Sequence, residues 1–274
     1  MARMLLAIDV GNSNMVMGLY DLGASERTPP THSWRLTTPR HSTADELGVQ
    51  MRSLFALHEM NFTDVDAIAI ASVLPPVDSM LRHVCERFFK VRPLFVEPGV
   101  KTGLPVLTDN PAEVGADRIA NCIAGFEKYG GPTIVVDMGT ATTFDVISSK
   151  GEFIGGAIAP GLGIAADALF DSAARLTRVD IKRPSKIIGT NTTDNIQIGL
   201  YYGYIGLVDG ILERLIAELG GTVKIVATGG QAKLIAGGSK YIEVVEENLT
   251  LDGLRILFER NHGRNRKHTA ATGI

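Results

Sequence analysis

Short apolar segments alternate with longer segments of helical periodicity along the chain. Leu5 to Val10 and Met15 to Tyr20 flank a polar turn, which predicts a β-hairpin, and Ser33 to Thr38 predicts a third strand. Residues 42–58 have apolar side chains at helical spacing, and residues 66–73 alternate as a strand. Strands that alternate with helices in this way are typical of an α/β fold.

The following segments extend the same order. Residues 77–89 predict a helix and residues 93–97 a short strand. A further helix is predicted to begin at Asn110, because Pro111 suits the first helical position and Glu113 lies three residues after the cap. We expect this helix to run to Tyr129.

The strand and turn near the start of the chain have a counterpart in its middle. Asp137-Met138-Gly139-Thr140 follows a predicted strand in the same way as Asp9-Val10-Gly11-Asn12. This half-chain repeat predicts two duplicated α/β lobes, residues 1–114 and 115–274, with a cleft between them. The alternative interpretation is a chance similarity between two hairpins of a glycine-rich chain.

Both repeated turns have the composition of a phosphate-binding loop. Glycine lets the backbone approach a phosphate oxygen, the polar residues after it supply donors, and the aspartate can hold a hydrated cation. Two such turns could hold one polyphosphate. Thr228-Gly229-Gly230, between a predicted strand and a predicted helix, could accept a nucleoside or be an ordinary tight turn.

A candidate catalyst lies in the helix predicted from Asn110. Gly115-Ala116-Asp117-Arg118 combines a carboxylate, a cation and two small residues that let a ligand come close. A solvated ion pair on a helix surface is the alternative interpretation. The position of this segment, shortly before the second repeat, favours a functional role.

Composition narrows the class of partner and the compartment. Hydrophobic residues make up 45% of the 274 residues and the net charge is −3, which argues against nucleic acid as a partner. The longest apolar run, Ile68 to Leu74, is too short to span a membrane, and Asp9 interrupts any N-terminal signal segment. Cys85 and Cys122 lack metal-ligand spacing, so we expect reduced, buried thiols in a cytoplasmic protein.

Taken in order along the chain, these motifs resemble those of the type III pantothenate kinase family, part of the actin-like superfamily that also contains sugar kinases. The resemblance spans nearly the whole chain and rests on residues 9–14, 110–118, 137–143, 155–161, 191–192 and 228–230. Two positions depart from the family pattern. Ser13 replaces the commoner threonine but keeps a hydroxyl, and Thr108 stands where many members have a tyrosine that contacts pantothenate.

The resemblance implies two actin-like (ribonuclease H-like) lobes and ATP-dependent phosphorylation of pantothenate to 4′-phosphopantothenate, the first step of coenzyme A biosynthesis. Asp117 would be the general base of an in-line phosphoryl transfer. Asp9 would hold Mg²⁺ through water, and Asp137 a monovalent cation, K⁺ or NH₄⁺. The implied pantothenate-binding residues are Thr108, Gly115, Ala116, Asp117, Arg118 and Thr192. The implied ATP-binding residues are Asp9, Val10, Gly11, Asn12, Ser13, Asn14, Met15, Val16, Thr140, Gly229 and Gly230.

The helix predicted over residues 193–219 points to a protein partner. Between Gln197 and Gly210 its only charged residue is Asp209, and apolar side chains cover every face. This pattern leaves burial in the core and burial in a homodimer interface both open. The family resemblance implies a homodimer in which Thr192 helps to bind pantothenate across the interface.

Two other functions stay open beside the pantothenate kinase. An actin-like ATP-binding regulator would bind nucleotide without phosphorylating a small molecule. A sugar kinase of the same superfamily is disfavoured, because residues 115–118 together with Asn191-Thr192 match the pantothenate pattern. Finally, residues from about 261 to 274 are basic and nearly lack apolar side chains, which predicts a flexible tail more than a nucleic-acid-binding arm.

Overall fold

The computed structural model describes residues 3–25, 28–173 and 176–262. Within these ranges ten strands form two five-stranded sheets, each with parallel and antiparallel neighbours. The α/β class predicted from the sequence is confirmed. The α-helices of the described residues are α1 (Ala44–Ala56), α2 (Pro75–Val84), α3 (Ala116–Tyr129), α4 (Leu162–Ser172), α5 (Thr192–Leu219), α6 (Ala232–Ala236) and α7 (Leu249–His262).

The first sheet is built around the first strand of the chain. Its strands are β1 (Met4–Val10), β2 (Asn14–Asp21), β3 (His32–Thr37), β4 (Val65–Ser72) and β5 (Leu94–Phe95), in the spatial order β3-β2-β1-β4-β5. Strand β1 pairs antiparallel with β2 and parallel with β4. Residues 5–8 of β1 are fully buried, because this central strand has neighbours on both sides and helices packed against the sheet.

The second sheet repeats this arrangement. Its strands are β6 (Thr133–Met138), β7 (Ala141–Ile147), β8 (Phe153–Pro160), β9 (Lys224–Thr228) and β10 (Val244–Val245), in the order β8-β7-β6-β9-β10. Strand β6 pairs antiparallel with β7 and parallel with β9, as β1 does with β2 and β4. Each strand of the second sheet therefore has a counterpart in the first, and the predicted duplication is confirmed.

The chain divides into two compact units that are not continuous in sequence. In the described residues, the first unit comprises residues up to Leu104, Asp109–Ala124 and residues from Asn248 onward, and the second comprises Pro105–Thr108 and Gly125–Glu247. This division differs from the linear boundary predicted after residue 114. The physical reason is that α7, at the end of the chain, packs against β1 and β4 of the first sheet.

The segment before Asp117 also differs from the prediction. Residues Pro111–Glu113 form a single 3₁₀ turn, and α3 begins only at Ala116. The Asn110 side chain donates a hydrogen bond to Glu113 Oε1 at 2.6 Å and makes no cap hydrogen bond to the backbone. The predicted start of this helix was therefore wrong, and Asp117 lies in the first turn of α3.

The final helix, α7, reaches into the segment that was predicted as a flexible tail. Asn261 holds the backbone of Lys101, since its Oδ1 accepts from the Lys101 amide and its Nδ2 donates to the Lys101 carbonyl, both at 3.1 Å. Asn261 and His262, the first two residues of the segment predicted as a tail from about residue 261, are the last two residues of α7. The remainder of that predicted tail, residues 263–274, lies outside the described residues.

Two smaller expectations concern cysteines and membranes. Cys85 and Cys122 are both buried, as predicted. In the part of the chain that the structure describes, no helix combines the length and the apolar character needed to cross a membrane.

Gly253 in α7 tests how closely this helix packs. A Cβ at position 253 would collide with the backbone carbonyl of Ala120 in α3, which no side-chain movement can relieve. We expect Gly253→Ala to lower the free energy of unfolding by about 1–3 kcal/mol.

The matched control is Gly163→Ala in α4, where a Cβ would meet nothing within 4 Å. This variant should change the free energy of unfolding by less than about 1 kcal/mol. Denaturant unfolding of the two variants makes the comparison, and equal midpoints would contradict the close packing of α7 on α3.

Candidate functional site

The first glycine turn joins β1 to β2. The Gly11 amide donates to the Asn14 carbonyl at 3.0 Å, which closes the turn. Asn12, Ser13 and Asn14 are exposed, and the Asp9 carboxylate lies partly exposed two residues before the glycine. This geometry leaves amide, hydroxyl and carboxylate groups accessible at the end of a buried strand.

Not every residue predicted from this motif is accessible to a ligand. The Val10 and Met15 side chains are fully buried in the core, and the two residues pair with each other in the β-ladder. Val16 is partly exposed. The Val10 and Met15 side chains therefore support the turn from the core side, and their assignment to ATP stays a prediction.

The second glycine turn joins β6 to β7 and is one residue shorter than the first, since Met138 pairs with Thr142 whereas Val10 pairs with Met15. Here the Gly139 amide donates to the Ala141 carbonyl at 3.1 Å, and Thr140 is exposed. The Gly161 amide donates to the Thr140 carbonyl at 3.2 Å. A Cβ at position 161 would collide with that carbonyl, so the close approach requires glycine.

Asp137 and Gly229 meet at the carboxyl ends of β6 and β9. Asp137 pairs with Thr228 in the parallel ladder, so the glycine after Thr228 lies beside the carboxylate. Gly229 has φ of +93°, and a Cβ there would lie 2.6 Å from Asp137 Oδ1. The space next to this carboxylate exists because position 229 has no side chain.

This local geometry fits a cation at Asp137. Carboxylate and backbone carbonyl oxygens are the ligands that hard cations prefer. A Cβ at position 229 would crowd Oδ1, so glycine there keeps a side chain off this carboxylate. Asp9 likewise presents a partly exposed carboxylate beside the first turn, which suits a hydrated Mg²⁺ held through water.

The Asp117 carboxylate lies partly buried in the first turn of α3. Its Oδ1 accepts a hydrogen bond from the Arg118 amide at 2.8 Å. Burial raises the pKa of this carboxyl group, against the lowering effects of the Arg118 amide and guanidinium. A carboxylate whose charged form is disfavoured in this way is a stronger proton acceptor than an exposed one.

Gly115 makes room for this carboxylate. A Cβ at position 115 would lie 2.5 Å from Asp117 Oδ1 and 3.7 Å from Val73 Cγ1, so any side chain there would crowd the carboxylate. Val73 follows β4, and its amide donates to the Val10 carbonyl at 3.2 Å. The first unit therefore places Asp117 next to the segment that leaves the carboxyl end of β4, the strand beside β1.

Thr108 and Thr192 both lie in the second unit. The Thr108 Oγ1 is buried and has no hydrogen-bond partner among the described residues. Thr192 is the exposed first residue of α5, after the cap residue Asn191. It borders a cavity of about 630 Å³ whose other lining residues are Ala165, Leu169, Leu176, Asn195, Ile196, Gly199 and Leu200.

Several residues at these turns were missed by sequence reasoning. Thr38 and Arg40 contact the first turn, through Thr38 Oγ1 to the Gly11 carbonyl at 2.6 Å and Arg40 Nη2 to Asn12 Oδ1 at 2.9 Å. Val73 approaches Gly115. Their separation from the glycine motifs in sequence hides these contacts, although the third strand predicted to end at Thr38 was a usable signal.

Comparison with known proteins places the chain in a family. The model of the family described as "Type III pantothenate kinase" matches residues 5–214. The chain belongs to this family. A type III pantothenate kinase of Koribacter versatilis is 60% identical over 269 residues, which cover 96% of this chain and 98% of the relative.

Solved structures show that the chain has the fold that the family resemblance implies. A Campylobacter jejuni protein described as a putative Baf family transcriptional activator matches with a TM-score of 0.59 and 20% identity, covering 94% of this chain and 99% of that one. MreB 5 of Spiroplasma citri, solved with AMPPNP, matches with a TM-score of 0.51 and 13% identity, covering 97% and 99%. The predicted actin-like fold class is thereby confirmed.

The neighbouring glycines 229 and 230 provide a matched test of the Asp137 site. Alanine at position 229 would be strained by its positive φ and would crowd Asp137 Oδ1 and the Met138 backbone, whereas a Cβ at position 230 meets nothing within 4 Å. We expect Gly229→Ala to lower the free energy of unfolding by about 1–3 kcal/mol and Gly230→Ala to leave it nearly unchanged. Thermal unfolding of both variants measures this, and equal midpoints would refute the close approach at position 229.

Proposed function

We propose that this chain transfers the γ-phosphoryl group of ATP to the primary hydroxyl group of pantothenate. The hydroxyl oxygen bonds to the γ-phosphorus, the bond from phosphorus to the β-phosphate oxygen breaks, and ADP leaves. The hydroxyl proton passes to the Asp117 carboxylate. The observation that carries the proposal is this partly buried carboxylate beside Gly115, in a chain 60% identical to a relative named as this kinase.

Burial suits Asp117 to this role. A general base works best when its pKa is raised toward the operating pH while it stays ionised. Desolvation raises the pKa of Asp117 in that direction, and the Arg118 amide holds the carboxylate in place. We assign Arg118 to an anionic group of the substrate, because guanidinium binds carboxylate and phosphate in a fork.

The other pantothenate-binding assignments concern small or hydroxyl-bearing residues. Gly115 and Ala116 leave room for the acceptor. We assign two hydroxyl groups to pantothenate: that of Thr108, which has no hydrogen-bond partner among the described residues, and that of Thr192, which is exposed. Replacement of the family's tyrosine by Thr108 gives this chain a smaller contact at that position.

We assign the binding sites of the nucleotide and the cations to the glycine turns. We assign ATP phosphates to the accessible groups of residues 11–14 and Thr140, and the nucleoside to Gly229 and Gly230. Mg²⁺ would be held by Asp9 through water, and K⁺ or NH₄⁺ by Asp137. Bound there, these cations would neutralise negative charge on the phosphates.

The cytoplasmic location expected from the sequence stays a prediction.

A nucleotide-dependent regulator is the second candidate. It is favoured by one observation, namely that the Campylobacter jejuni neighbour is described as a putative Baf family transcriptional activator. That likeness is at 20% identity and concerns the fold. The same assay separates the two functions, because a regulator releases no ADP in response to pantothenate.

The test is ADP release from ATP with Mg²⁺ and K⁺, with and without pantothenate, in the native protein and Asp117→Asn. We expect pantothenate-dependent ADP release that falls about 10²–10⁴-fold in the variant, because an amide accepts no proton. The assay is repeated with Na⁺ in place of K⁺, and a lower rate is expected. A rate of ADP release that does not depend on pantothenate would refute the kinase proposal. Near-native turnover of Asp117→Asn would refute the assignment of Asp117 as the general base.

Stability supplies the control for folding of this variant. Burial raises the pKa of Asp117, so its ionisation costs stability in full at pH values above that raised pKa, and the cost disappears only below the ordinary pKa of the unfolded chain. Asp117→Asn should therefore unfold at the same or a higher temperature at pH 7. The difference should shrink as pH falls through the raised pKa.

We further propose that the chain forms a homodimer through the exposed face of α5. One face of α5 is buried, through Tyr201, Tyr204, Ile205 and Val208. The opposite face presents Gly199, Gly203 and Gly206, where a Cβ would meet nothing within 4 Å, and Tyr202 beside them is 38% exposed. A row of glycines lets a second helix approach closely, and a symmetric copy of the same row is its natural partner.

The dimer prediction uses two substitutions on one helix. Gly203→Lys places a long charged chain in the glycine row, whereas Glu218→Lys places the same side chain at an exposed position on another side of the helix. We expect light scattering to give twice the 29.4 kDa mass for the native protein and Glu218→Lys, and a monomer for Gly203→Lys. A dimeric Gly203→Lys would refute this interface, and a monomeric native protein would refute the dimer.

A further inference from the structure

The loop after β3 closes on the first glycine turn through two side chains. Thr38 donates from Oγ1 to the Gly11 carbonyl at 2.6 Å and from its amide to the Ser13 carbonyl at 3.1 Å. Arg40 donates from Nη2 to the Asn12 carbonyl at 3.0 Å and to Asn12 Oδ1 at 2.9 Å. The Arg40 guanidinium thus lies directly against the exposed Asn12.

The second turn is closed without a charged residue. At the equivalent place after β8, the Gly161 amide donates to the Thr140 carbonyl at 3.2 Å, as the Thr38 amide does to the Ser13 carbonyl. A backbone group is therefore sufficient to close a turn of this kind. In the first turn the Thr38 amide already supplies this bond, so the cation of Arg40 is additional to what closure needs.

The Arg40 guanidinium has N–H donors that its contacts to Asn12 do not use, and its charge faces no carboxylate among the described residues. Among the described residues all of its hydrogen bonds go to Asn12, and none goes to a carboxylate. A guanidinium has five N–H donors, and its Nη1 donates to no atom of the described residues. Arg40 is also exposed, so solutes can reach it. Planar paired donors on a permanent cation are the group that best recognises phosphate oxygens.

We propose that Arg40 binds the polyphosphate of the nucleotide at the first turn, while its contacts to Asn12 fix the orientation of the guanidinium. The inference rests on the proposed nucleotide function of residues 11–14. It adds a charged residue to a turn whose other donors are neutral. It predicts an effect that depends on the number of phosphates in the ligand.

The test is calorimetric binding of MgATP and of adenosine to the native protein, Arg40→Gln, Arg40→Lys and Arg35→Gln. Arg35 is the control, because it is exposed on β3 and lies five residues before Arg40. We expect Arg40→Gln to lower the affinity for MgATP at least about 10-fold and the affinity for adenosine less than about twofold. Arg40→Lys keeps the positive charge but not the paired donors of the guanidinium, so it should lose less affinity for MgATP than Arg40→Gln. Arg35→Gln should bind MgATP with the native affinity.

The dependence of MgATP affinity on salt concentration distinguishes phosphate binding by Arg40 from a purely structural role of this residue. Loss of one phosphate contact should make the MgATP affinity of Arg40→Gln fall less steeply with salt than that of the native protein. MgATP affinity of Arg40→Gln within about twofold of native, or an equal loss for adenosine, would overturn the inference. Native protein that binds MgATP but phosphorylates no pantothenate would overturn the proposed kinase reaction alone, since the binding comparison still decides Arg40.

Discussion

The pairing of one antiparallel strand pair in each sheet is the constraint that positions the two glycine turns and the aspartates beside them. In β1–β2 and in β6–β7 the pairing ends at a glycine whose amide bonds back to the facing strand. An aspartate lies two residues before each glycine, at Asp9 and Asp137. Because side chains alternate along a strand, a shift of one residue would turn each carboxylate to the other face.

Parallel pairing extends this arrangement sideways. The carboxyl ends of β4 and β9 lie beside those of β1 and β6, so the segments that follow them approach the aspartates. In the first sheet the following segment brings Val73 to Gly115 and hence to Asp117. In the second it brings Gly229 to Asp137. One topology used twice therefore supports a candidate base in one unit and a candidate cation site in the other.

Absent side chains matter as much as present ones. Gly115 leaves space for the Asp117 carboxylate, Gly229 for Asp137, and Gly161 for the Thr140 carbonyl. At positions 161 and 229 a Cβ would meet backbone atoms that cannot move away cheaply, and at position 115 it would crowd the Asp117 carboxylate. The high glycine content of the chain, 30 of 274 residues, is thus partly explained by close approaches at the turns.

The sequence by itself determined the α/β class, the duplicated turns and the family, because strand periodicity and short glycine motifs are local signals. Only the tertiary structure decided that α3 begins at Ala116, that α7 joins the first unit, and that Val10 and Met15 face the core. Thr38 and Arg40 reach the first turn from more than twenty residues away. Contacts of that kind depend on how the strands pair, and pairing between distant segments leaves no local mark in the sequence.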